Sequence, residues 1–169
     1  MTFYSAVLVL LFLCCFFQLS AADCNRGEEM SSIFAPCTLC RVGYYQPTLD
    51  TFALCIRCGG NRTTVTTGIF YESSCLCAAQ YGLVSSGNCE LCSKGRYKPA
   101  IGNTVCIPCE KGTYNSDMGG LGCMACGDYR TTLDNAAQSV TDCTACVAGY
   151  GKTHSTDNVC GICAAGKYQ

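Results

Sequence analysis

The sequence has no tryptophan, one histidine and only 14% charged residues. Beyond residue 22 it also lacks any long amphipathic run from which a packed helical or sheet core is built. Each absence removes a class of function. His154 stands alone in "GKTHSTDN", so neither a histidine-rich metal site nor a Cys–His nucleophilic couple is available, and the residue reads as an exposed loop position. Charges of both signs are scattered over a formal net charge of −1, so no basic surface faces a phosphate backbone and nucleic acid is not expected as a partner. "DMGGLG" at Asp117 to Gly122 lacks the lysine and helix of a phosphate loop and reads as a turn. No clustered Asp-x-Asp pattern marks a calcium loop. Nothing calls for a cofactor.

What the chain does have is 19 cysteines and 18 glycines in 169 residues, a composition that needs covalent staples where a core is missing. The N-terminus sets the compartment. "AVLVLLFLCCFF", from Ala6 to Phe17, has the length of a signal-peptide apolar segment, and Ser20 and Ala22 supply small residues at the −3 and −1 positions before Asp23. Residues 1–22 are therefore read as a signal peptide, although "MTFYS" carries no Lys or Arg. The competing reading, an uncleaved anchor, needs roughly 20 apolar residues. A lipoprotein signal ending at Cys24 is disfavoured by Asp23.

Without the signal, which takes Cys14 and Cys15, seventeen cysteines remain: Cys24, seven C-x-x-C pairs and one C-x-C pair. The period lies near 17 residues, which marks a repeat. One pairing closes each long gap on itself: Cys24 with Cys37, Cys40 with Cys55, Cys58 with Cys75, Cys77 with Cys89, Cys92 with Cys106, Cys109 with Cys123, Cys126 with Cys143, and Cys146 with Cys160. Spacing does not fix connectivity, so crossed bridges between adjacent pairs remain an alternative. In the simple ladder Cys163 is left over, which suggests that its partner lies downstream and that the chain is the N-terminal fragment of a longer protein. Loops of about 15 residues are each worth roughly 3 kcal/mol when closed.

The gaps come in three kinds. The first begins C-x-x-G-x-Y, as in "CRVGYY", "CSKGRY", "CEKGTY" and "CAAGKY", with glycine supplying a positive φ and tyrosine a ring to lay on the bridge. The second shares C-G-x-x-R-T-T, in "CGGNRTTVTTGIFYESSC" and "CGDYRTTLDNAAQSVTDC". The third has Tyr-Gly, in "CAAQYGLVSSGNC" and "CVAGYGKTHSTDNVC". The kinds recur in order, which partitions the chain into a first repeat over 23–92, an intervening unit over 93–108 and a second repeat over 109–169. Thr, Val and Tyr favour extended backbone and Gly, Asn, Asp and Ser interrupt it, so the pattern predicts an elongated array of small disulfide-rich repeats. Its elements are short β-hairpins and loops, with little helix outside the signal peptide.

The segment "CEKGTYNSDMGGLGCMACGDYRTTLDNAAQSVTDCTACVAGYGKTHSTDNVCGICAAGKY" resembles the ephrin-receptor-like cysteine-rich repeat, and the copy from "CTLCRVGYYQ" to "CELCSKGRY" matches it too. The resemblance implies an extracellular, disulfide-bonded module of the kind found in ephrin receptor ectodomains and large surface proteins, similar also to EGF-like and tumour necrosis factor receptor modules. No kinase signature and no preceding ephrin-binding domain accompany it.

The functional expectation is a non-enzymatic repeat region of a secreted or cell-surface protein, binding extracellular proteins or surface components. Any membrane attachment would come from a region beyond this fragment. A structural stalk or surface coat is the alternative. Zinc at the C-x-x-C pairs and thiol redox chemistry rank below both, since thiols behind a signal peptide oxidise and no βαβ context activates a cysteine. "NRT" at Asn61 is an N-glycosylation sequon, whereas "NVC" at Asn158 is a poor acceptor.

Overall fold

The computed structural model describes residues 23–32, 35–49, 54–154 and 159–165. The expected signal peptide, with Cys14 and Cys15, and Asn158 lie outside the described residues. Eight disulfides organise the chain: Cys24–Cys37, Cys40–Cys55, Cys58–Cys75, Cys77–Cys89, Cys92–Cys106, Cys109–Cys123, Cys126–Cys143 and Cys146–Cys160. Cα–Cα distances run from 5.4 to 5.8 Å, the ordinary span of a bridge. Each bridge closes one loop, with separations from 12 to 17 residues. The loops are numbered here as units 1 to 8 in chain order, and Cys163 is the free cysteine among the described residues.

Each unit carries one two-stranded antiparallel hairpin, so among the described residues the secondary structure is a series of small ribbons and two 3₁₀ turns, Glu72–Ser74 and Val140–Asp142. The ribbons do not lie wholly inside the disulfide loops. Their first strand starts four residues after the opening cysteine, but their second strand runs through the spacer of the next cysteine pair. In unit 2, Tyr44–Tyr45 pairs with Ile56–Arg57; in unit 6, Thr113–Tyr114 pairs with Met124–Ala125. Residues three apart on an extended strand point to opposite faces, so the two cysteines of one C-x-x-C are kept apart, one closing its own loop and the other opening the next.

The hairpin closes in the same way in every unit. The third residue after the opening cysteine has positive φ throughout: Gly27, Gly43, Asn61, Gln80, Gly95, Gly112, Tyr129 and Gly149, with φ from 58° to 87°. Its carbonyl accepts the N–H that follows the second strand, as in Cys40 to Gly27 (2.8 Å), Cys109 to Gly95 (2.8 Å) and Cys163 to Gly149 (3.1 Å). The interior is correspondingly thin. Buried apolar positions are nearly all half-cystines, among them Cys40, Cys77, Cys92, Cys109 and Cys143, while Leu39, Ile56, Ile107, Met124 and Ile162 stand exposed on the strands.

Candidate functional site

The array has one recurrent interior site, at the sixth residue after each opening cysteine. Gln46, Thr64, Lys98, Asn115 and Thr132 occupy it in units 2, 3, 5, 6 and 7, and they are the buried polar residues of the described chain, each at most 3% exposed. Buried polar groups must be hydrogen-bonded, and these bond across unit boundaries. The N–H of the left-handed residue in one unit donates to position 6 of the next: Gly27 to the Gln46 carbonyl (2.9 Å), Gln80 to that of Lys98 (2.9 Å), Gly95 to that of Asn115 (2.8 Å). Where position 6 is threonine the hydroxyl accepts instead, Gly43 to Thr64 Oγ1 (3.0 Å) and Gly112 to Thr132 Oγ1 (3.1 Å).

A second strap runs through position 6 itself: Gln46, Lys98 and Asn115 donate their N–H groups to Ile69, Gly120 and Ala137 of the following unit, at 3.0 Å each. A third returns from position 10 of the later unit to the opening cysteine of the earlier one, from Gly68 to Cys40, Gly102 to Cys77, Gly119 to Cys92 and Ala136 to Cys109. These explain two motifs. The second threonine of R-T-T is the hydroxyl acceptor, and the residue after the G-x-Y tyrosine in units 2, 5 and 6 is the polar one turned inward. The polar residue after these tyrosines was the available signal for this spine, and reading each gap in isolation missed it.

Lys98 is the extreme member. It is 2% exposed, yet its ammonium donates to three backbone carbonyls, Ala100 (2.7 Å), Ala78 (3.3 Å) and Cys77 (3.4 Å). Desolvation by burial holds its pKa below the ordinary lysine value. The three acceptors match its three N–H donors. The arginines of R-T-T donate to carbonyls of their own units, Arg62 to Cys75 O (3.0 Å) and Arg130 to Cys126 O (3.2 Å), with Arg130 also pairing Asp128 at 3.3 Å, and Arg62 reaches Gly87 O of the next unit as well (2.6 Å).

Units 4 and 8 depart from the pattern. Their strands are three residues long, Tyr81–Leu83 with Cys89–Leu91 and Tyr150–Lys152 with Cys160–Ile162, and in unit 4 position 10, Gly87, donates to Val84 of its own loop, while Leu83 N–H still reaches Thr104 O of unit 5 (2.9 Å). Side chains take over at the preceding boundary. At unit 8 the Tyr129 and Tyr150 rings stack with centroids 4.1 Å apart and planes 9° from parallel. The Tyr150 phenol is raised above its usual pKa, first by desolvation, then by the neighbouring Tyr129 charge and a hydrogen bond to it.

The concavities are open grooves between units. One of them, about 550 Å³, is lined by Tyr45, Arg62, Glu72, Ser73 and the Cys58–Cys75 bridge. Among the described residues no group of three His, Cys, Asp or Glu is placed to hold a metal ion, and the cysteines that a zinc or dithiol site would draw on are in bridges, Cys163 aside. His154 is exposed. Asn61 sits in the left-handed turn of unit 3, and its amide donates to Cys89 O at 3.0 Å. No helix of the described residues is long and apolar enough to cross a membrane.

Fold and site together define a disulfide-stapled repeat array of extracellular type. The family described as "Tyrosine-protein kinase ephrin type A/B receptor-like" matches residues 27–75 and 101–143, more than half of the chain, and the chain belongs to this family. Both matches end on the closing cysteine of an R-T-T unit, Cys75 and Cys143. The chain is also similar to "Signal peptide, CUB and EGF-like domain-containing protein 2" of Mus musculus, 30% identical over 89 residues, 50% of this chain and 9% of that protein. It is 33% identical over 95 residues to "Cysteine repeat modular protein A" of Toxoplasma gondii, covering 50% of this chain and 3% of that protein. The human counterpart of the mouse protein is 31% identical over 84 residues, 47% of this chain and 8% of its own length. The chain thus covers less than a tenth of each relative.

Proposed function

We propose that the chain is a non-enzymatic, extracellular binding region that engages other proteins through the outer faces of its ribbons, as part of a secreted or surface-anchored protein. The observation that carries this reading is the inversion of the usual burial pattern. Cystines and hydrogen-bonded polar residues fill the interior, while Leu39, Ile56, Leu91, Ile107 and Met124 are presented on exposed strand positions. Surface residues are thereby freed from holding the fold, because the bridges and straps hold it. Aliphatic side chains on a rigid frame give a partner apolar contact without a large ordering cost.

The test uses the secreted chain with its bridges intact, immobilised and presented to purified extracellular proteins and to living cells. Saturable binding that is lost in the Ile56→Asp/Ile107→Asp variant, with the disulfide map unchanged, is the expected result. Absence of saturable binding to either would sink the interaction reading. A stalk function is favoured instead by the backbone straps, which fix unit spacing. It is distinguished by replacing the array with an unrelated rod of equal length in the full-length protein, since only a spacer survives that exchange.

A further inference from the structure

The boundary between units 3 and 4 is held differently from those around it. Units 2 and 3, 4 and 5, 5 and 6, and 6 and 7 are tied by the straps described above. Between units 3 and 4, apart from the hairpin-closing bond that every unit has, the hydrogen bonds among the described residues come from two side chains: Asn61 Nδ2 to Cys89 O at 3.0 Å and Arg62 Nη2 to Gly87 O at 2.6 Å. The reason lies in loop length. Unit 4 has the smallest separation, 12 residues, and its position 10, Gly87, turns its N–H onto Val84 of its own ribbon. In units 3, 5, 6 and 7 the equivalent N–H reaches back to the earlier unit. Both crossing side chains belong to the sequon Asn61-Arg62-Thr63, and Asn61 is exposed.

We propose that Asn61 carries an N-linked glycan and that the sugar loosens the joint between units 3 and 4. This rests on the extracellular reading above. In the transfer, Nδ2 of Asn61 bonds to the anomeric carbon of a sugar carried on a lipid-linked pyrophosphate; the nitrogen gives up one proton and the pyrophosphate leaves with the bonding electron pair. The nitrogen that receives the sugar is the atom 3.0 Å from the Cys89 carbonyl, so glycosylation crowds one of the two side-chain contacts that cross the joint. Arg62 then remains, with the hairpin-closing bond from Ala78 N–H to the Asn61 carbonyl. The unmodified amide closes the joint, and the modified one lets units 1–3 swing against units 4–7.

The full chain is secreted from a eukaryotic host as wild type and as Thr63→Val, which abolishes the sequon while keeping shape and the Asn61 amide. Peptide mass after enzymatic glycan release reads occupancy, and amide exchange at Ala78, whose N–H crosses to the Asn61 carbonyl, reads the joint. The expected result is an occupied Asn61 and exchange about fivefold faster in the glycosylated chain, the factor that one net hydrogen bond supplies. Wild-type chain from a host without oligosaccharide transfer gives the same comparison if Thr63→Val does not fold. An unmodified Asn61 in a secreted, fully bridged chain overturns the site, and equal exchange in occupied and unoccupied chains overturns the joint. A chain retained in the cell with free thiols marks failure of the extracellular reading and of the proposal with it.

Discussion

Gly95→Ala should be far more damaging than the chemically identical change at Gly149. Both glycines hold the left-handed turn, with φ of 76° and 86°, so both lose the freedom that glycine has there. That part costs about 1 kcal/mol net, from a left-handed penalty of roughly 1–2 kcal/mol less the entropy an alanine removes from the unfolded chain. The surroundings differ. A Cβ on Gly149 meets nothing within 4 Å, whereas on Gly95 it runs into the Ala136 carbonyl oxygen and comes within 2.7 Å of its carbon, two units along. The obstacle is backbone and has no rotamer to yield. Ala136 also donates the strap to Cys109 O at 2.7 Å, and Gly95 donates to Asn115 O at 2.8 Å. Relieving the clash therefore strains or breaks both. Overpacking adds about 1–3 kcal/mol, and each strap about 1 kcal/mol, so Gly95→Ala is expected to cost about 4–6 kcal/mol. Urea unfolding with bridges intact, followed by near-ultraviolet circular dichroism, measures both variants. Equal midpoints for Gly95→Ala and Gly149→Ala would refute the contact between units two apart.

Three further outcomes are expected. Brief amine acetylation of the native chain should label Lys94, Lys111 and Lys152, all exposed, and spare Lys98; peptide mass reads this, and rapid labelling of Lys98 would contradict its burial. Because the Tyr150 pKa is raised in the folded chain, stability is intact below the usual tyrosine range and falls as pH rises through and beyond it; a phenolate absorbance titration in which Tyr150 ionises no later in the folded chain than in the unfolded one removes that dependence. Replacing Cys109 and Cys123 together by alanine opens a 14-residue loop and should lower stability by about 3 kcal/mol in the chain-entropy account. Hydrogen exchange should then rise first at Ala136, whose N–H is bonded to Cys109 O.

Much of this protein is legible in the residues alone, and some of it is not. The period of the cysteine pairs and the three kinds of gap identify the family and the all-ribbon fold, because they are local in sequence. The glycines of C-x-x-G at Gly43, Gly95 and Gly112 announce left-handed turns for the same reason. Gln80 and Tyr129 hold that conformation with no such announcement, since the demand comes from closure of the ribbon on the next cysteine pair. Spacing does not reveal that the spacers of the C-x-x-C pairs are strands, for their partners lie across the bridge and not beside them.

Composition and spacing by themselves determined that bridges replace a core, because a chain with so few sustained apolar runs has no other means of offsetting its conformational entropy. Only the tertiary structure decided what turns inward. Gln46, Lys98, Asn115 and the threonines Thr64 and Thr132 are four kinds of polar side chain, and each is satisfied by amides and carbonyls roughly 20 residues away or by its own turn. A polar residue can be interior only when its partners are already in place, and those partners belong to the neighbouring unit.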